Sequence, residues 1–158
     1  MSPLSNVAVT LVLLSGAWLT QAAAAEEAAL IAARASELQW TAAPSVGPGA
    51  MIAVIEGDPK AAGPFTFRLK LPANSSVGVH THPATERVTV LSGSFYLGTG
   101  DTLDPAKAAT YQAGDTLIIP AGVAMSAGTR SEAAVLQLHG TGPWGISYHD
   151  PADDPRNP

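Results

Sequence analysis

The sequence predicts an all-β fold, one antiparallel sandwich or barrel, from three observations. The chain has 15 glycines and 13 prolines, and all but Gly16 and Pro3 punctuate it at short intervals from Trp40 onward. The segments between them alternate apolar and polar residues with the two-residue period of strands. Turn signals recur roughly every eight to twelve residues, the spacing of hairpin-linked strands.

Taken in order, Met51 to Ile55 is a nearly continuous apolar strand, closed by the turn sequence Glu56-Gly57-Asp58-Pro59. The next is the clearest. Phe65, Phe67, Leu69 and Leu71 share one face and Thr66, Arg68 and Lys70 the other, the pattern of a half-buried antiparallel strand. Further strands read at Val77 to His82, Glu86 to Leu91, Ser94 to Leu97, Thr116 to Ile119 and Ala133 to His139. Gly93-Ser94 and Gly114-Asp115 mark turns, and Pro120-Ala121-Gly122 ends a strand and redirects the chain.

A length of 158 residues is enough for one domain, here residues 40–149. Before it, Val7 to Leu19 is almost unbroken apolar sequence, followed by small residues through Ala25 and then Glu26 and Glu27. That pattern predicts a signal peptide over residues 1–25 and a periplasmic or secreted protein. Met1 to Asn6 carries no Lys or Arg, which leaves an uncleaved anchor as the alternative. Residues 26–39 are Ala-rich, with Leu30, Ile31, Arg34 and Leu38 near helical spacing, so a short helix or a frayed leader is expected there. The tail, residues 150–158, is rich in Pro and Asp and should lie extended on the surface or disordered.

Composition removes whole classes of function. A net charge of −5 with no basic cluster argues against nucleic acid and against an anionic membrane surface. Once a signal peptide is cleaved, no stable membrane insertion is expected. The absence of cysteine rules out disulfides, thiolate nucleophiles and Cys-ligated zinc. There is no G-x-S-x-G, Walker loop or Rossmann fingerprint. Ser75 and Ser76 lie near His80 without an acidic orienter, so no nucleophilic triad is read.

One segment concentrates chemistry: His80-Thr-His82-Pro-Ala-Thr-Glu86. Two histidines two apart on an extended strand project to one face. Glu86 opens the next strand after a Pro-containing turn, so a hairpin can return its carboxylate toward the imidazoles. Two imidazoles and a carboxylate suit a divalent cation such as iron, manganese, nickel, copper or zinc. The bland alternative is a pair of partly exposed histidines beside a solvated glutamate.

These residues resemble the cupin superfamily. Its first motif, G-x5-H-x-H-x3-E-x6-G, is met by His80, His82, Glu86 and Gly93, with Asn74 in place of the leading glycine. Its second, G-x5-P-x-G-x2-H-x3-N, is met by Gly114, Pro120 and Gly122, with Met125 for the histidine and Thr129 for the asparagine. The resemblance implies a single antiparallel jelly-roll barrel, a metal held by His80, His82 and Glu86, and a homodimer formed through barrel edges. The loss of the second-motif histidine leaves two outcomes open. Either a two-His, one-carboxylate site keeps metal with positions free for substrate, or the pocket works without metal. Met125 reads most simply as an apolar filler.

His139 reads as pointing outward, because Leu136 and Leu138 make the more apolar inward set of that strand. His149 reads as a surface residue, while Trp144 and Tyr148 flank a Gly-Ile-Ser loop that could cover a pocket mouth. Two functions from different classes follow: a metal-dependent oxygenase or isomerase of a small molecule, or a module that binds a small ligand without turning it over.

Overall fold

The computed structural model describes residues 29–157, so the predicted signal peptide lies outside the described residues. The strands, in chain order, begin with β1 (Thr41–Ala42), β2 (Met51–Glu56), β3 (Gly63–Leu71), β4 (Ser76–Thr81), β5 (Glu86–Ser92) and β6 (Ser94–Thr99). They continue with β7 (Ala109–Gln112), β8 (Thr116–Ile119), β9 (Met125–Gly128), β10 (Ala134–Gly142) and β11 (Ser147–Tyr148).

Among the described residues, pairing produces two antiparallel sheets, ordered β1-β2-β3-β10-β5-β8 and β11-β4-β9-β6-β7. The two-sheet sandwich is therefore the form taken by the all-β fold. Every strand read from the sequence is present, with ends moved by at most a few residues. Four more were not read: β1, β7, β9 and β11.

Alternation explains the core. In β3, Phe65, Phe67, Leu69 and Leu71 are buried while the residues between them are not. Facing them across the ladder, β10 buries Ala134, Leu136 and Leu138. On the outer face Arg68 Nε donates to Gln137 Oε1, and Lys70 Nζ lies 4.1 Å from the Trp40 ring centre. His139 belongs to the outer set with Val135 and Gln137, between Thr66 and Arg87 on the neighbouring strands.

Two backbone positions show why particular residues stand where they do. Gly93 joins β5 to β6 at φ 72°, and a Cβ there would collide with the Ala133 carbonyl. Asn74 has φ 59°, the left-handed region that asparagine tolerates better than most residues. Its place in the first motif thus keeps a glycine-like backbone.

The segment before β1 carries one 3-10 turn, Ala35–Glu37, where a short helix or frayed leader was expected. That turn has no side-chain cap and buries nothing, and Leu30 and Ile31 are exposed, so no apolar face stabilises a longer helix. The tail is more structured than its composition suggests. Pro151–Asp153 forms a 3-10 turn capped by Asp150, and Asp153 packs so closely on Gly78 of β4 that a Cβ there would not fit.

Candidate functional site

Between the sheets lies a cavity of about 460 Å³. Phe67, Leu69, Leu136 and Leu138 line it from one sheet, and Phe95 and Leu97 from the other. Three buried ionisable residues interrupt this apolar lining: His80, His82 and Glu86. The structure therefore brings all three sequence-predicted residues to one cavity.

The local fold explains their direction. In β4 the register slips between Val77 and His80, so these residues, three apart, both line the cavity. His82 follows the last residue of β4, and its carbonyl accepts from Gly122 N at 2.9 Å. Glu86 opens β5 opposite Ile119, and Val88, two residues on, faces the same space.

Each imidazole is fixed through Nδ1. His80 Nδ1 donates to the Gly78 carbonyl at 2.7 Å, and His82 Nδ1 to the Gly145 carbonyl at 2.6 Å. A carbonyl oxygen can only accept, so Nδ1 carries the hydrogen in both rings and a neutral ring keeps its lone pair on Nε2. The rings meet edge to face with centres 4.9 Å apart. His82 Nε2 stands 3.5 Å from Glu86 Oε2, too long for a strong hydrogen bond.

Burial sets the charge of this corner. It pushes the Glu86 carboxyl up to about 8 and brings His82 down to about 4, against the raising effect of its Gly145 bond. His80 is lowered for the same reason. Near neutral pH the corner is therefore an undissociated acid facing two neutral imidazoles.

Met125 opens β9 as the cross-strand partner of His80, and its side chain is fully buried in the cavity wall. Thr129, at the second departure from the motif, accepts from Ser75 N and donates to the Pro72 carbonyl. It ties two chain segments together away from the cavity. His149 is exposed, 3.6 Å from Asp101. The sequence reading missed how far the segment after β10 enters the site. The Trp144 ring stacks on His82 at 4.6 Å and 15°, and Tyr148 lies 5.8 Å from His80 with its hydroxyl donating to the Ser45 carbonyl. The aromatic residues there were the only signal.

The sequence profile of the cupin family matches residues 59–141. The chain belongs to the cupin family. Among solved structures, this cupin is similar to the polyketide cyclase RemF from Streptomyces resistomycificus, at 15% identity and TM-score 0.66, covering 80% of this chain and 90% of that one. A similar likeness holds to an RmlC-like cupin from Shewanella frigidimarina, at 14% identity and TM-score 0.55, over 69% of this chain and 87% of that one. KdgF from Halomonas sp. gives 16% identity and TM-score 0.53, over 69% and 91%. At such identities the likeness is one of fold. No curated protein matches the sequence.

The donor types at the corner suit a divalent metal, and imidazoles anchored at Nδ1 present Nε2 as ligating histidines do. Their arrangement is another matter. Among the described residues, no three His, Cys, Asp or Glu side chains form a group able to hold a metal ion as they stand. Met125 supplies a thioether where a third imidazole would complete the set.

Proposed function

We propose that this cupin binds a small, largely apolar molecule between its sheets and receives the molecule's polar end at His80, His82 and Glu86. The observation that carries this reading is the cavity itself, whose buried lining is apolar but for the uncharged corner of His80, His82 and Glu86, with Asp58, Lys60 and Arg156 lining it as exposed residues. Pockets of this size and lining take small molecules, with few polar groups fixing orientation. Glu86 and His82 stand far enough apart to exchange each other for a ligand. A ligand carbonyl accepts from the Glu86 acid, and a ligand hydroxyl donates to the His82 lone pair. A neighbour that is a polyketide cyclase supports the fold of this reading and supplies no reaction for it.

The test is calorimetric titration with a homologous series of alkyl methyl ketones. Each added methylene should tighten binding by about fourfold until the cavity is full. The substitution Glu86→Leu should keep the chain-length trend and lose the preference for a ketone over the matching alkane, and His82→Ala should lose the corresponding preference for the matching alcohol, whose hydroxyl donates to Nε2. No saturable binding by any member would sink the proposal.

A second reading, metal held by His80, His82 and Glu86, is favoured by one observation: both Nδ1 hydrogens are tied to backbone carbonyls. A metal there would supply a Lewis acid to the ligand's polar end. Elemental mass spectrometry on protein purified without a histidine tag separates the readings. Near-stoichiometric metal that disappears in His80→Ala/His82→Ala establishes the second; persistent absence after reconstitution with zinc, manganese, nickel or iron retires it.

A further inference from the structure

The two histidines are held in different ways. His80 is bonded to Gly78, two residues earlier in its own strand, whereas His82 is bonded to Gly145, 63 residues away. His82 also lies past the end of β4, so the strand ladder does not fix its ring. What fixes it is the segment between β10 and β11.

We propose that Trp144 is the positioning residue of His82 and a specificity-determining wall of the cavity. Its indole stacks nearly parallel on the imidazole, at 4.6 Å and 15°, while the carbonyl of the next residue, Gly145, takes the Nδ1 hydrogen. Face and edge of one ring are thereby set by two consecutive residues. The indole is itself braced. Phe67 and Phe65 pack tilted against it at 5.4 and 5.8 Å, and Trp144 N donates to the Pro59 carbonyl at 2.6 Å. Trp144 and Gly145 both line the cavity. They also lie beyond residues 59–141, the span that the family profile matches. Both residues sit in the segment between β10 and β11.

The specificity half of the proposal rests on the ligand-binding reading above; the positioning half does not. It is read from the histidine side-chain NMR signals of the ligand-free protein. In the wild type, His82 should show one tautomer with hydrogen on Nδ1, and its ring protons should lie upfield of those of exposed His149 through the indole ring current. In Trp144→Leu, which keeps an apolar side chain but no ring face, the His82 signals should move toward the average of two exchanging tautomers. His80 should hold, and Trp144→Phe should restore the wild-type pattern. Unchanged His82 signals in Trp144→Leu overturn the proposal. So does a wild-type spectrum without the upfield shift, which needs no variant to fold. In titrations with the matching alcohols, whose hydroxyl donates to His82 Nε2, Trp144→Leu should lose the same several-fold preference over the alkane as His82→Ala, and the double variant no more than either alone. Additive losses would remove the specificity role.

Discussion

Where β3 and β10 face the cavity they offer Phe67, Leu69, Leu136 and Leu138; where β4 ends and β5 begins, the cavity meets His80, His82 and Glu86. Both walls are buried to a similar degree, yet burial does opposite things to them. For the apolar wall, removal from water is the source of stability. For the polar corner it is a cost, since burial keeps three ionisable groups uncharged. The apolar wall holds the sandwich together, and the polar corner is retained at the expense of stability. This asymmetry makes the corner the candidate for function.

The largest effect should come from the apolar side. Phe67, 1% exposed, touches the cavity and the Trp144 ring. Phe67→Ala should lower unfolding free energy by about 3–5 kcal/mol, as large-to-small changes of buried aromatics do. Urea denaturation measures it. A loss below about 1 kcal/mol would mean that the wall does not hold the sheets together and would break the comparison.

The polar corner should declare itself through pH. Glu86 titrates near 8 when folded and near 4.5 as an ordinary carboxyl, so its stabilising effect is complete below 4.5 and is lost as pH rises to 8. His82 works in the reverse sense: with about 4 in place of 6.5, its effect is present above 6.5 and lost as pH falls toward 4. The two oppose each other in the overlap, and the span from 6.5 to 8 is left to Glu86. Melting temperature of the wild type should therefore fall across that span, and Glu86→Gln should remove the fall. A variant that keeps the same alkaline slope would show that Glu86 is ionised in the folded protein.

The two walls were also legible to different extents. The apolar wall could be read directly, because β3 is half buried and its alternation records which face is inside. By contrast β9, Met-Ser-Ala-Gly, is buried at all four positions and shows no alternation. β7 carries three exposed residues of four, and β1 and β11 are two residues long. None of these leaves a periodic trace. At the corner, the spacing of His80, His82 and Glu86 pointed to a shared face. The register slip that turns Val77 and His80 to the same side, and the reach of Gly145 to His82, depend on contacts between distant segments. Local sequence does not encode those contacts in any pattern of its own.

The smallest effect should come from Met125, which belongs to both walls: an apolar side chain lodged opposite His80. If it only fills space, Met125→Leu is a near volume-conserving change and should cost less than about 1.5 kcal/mol, with ketone binding unaltered. The informative partner is Met125→His. It adds an imidazole across the strand pair from His80 and supplies the donor that the present set lacks. Zinc content by elemental analysis should then rise toward one per chain above whatever the wild type retains. If zinc does not rise, the corner's geometry, and not the missing ligand, sets its metal affinity. If Met125→Leu instead strips metal that the wild type carries, the thioether is a ligand, and the boundary between the walls must be redrawn to place Met125 with the histidines.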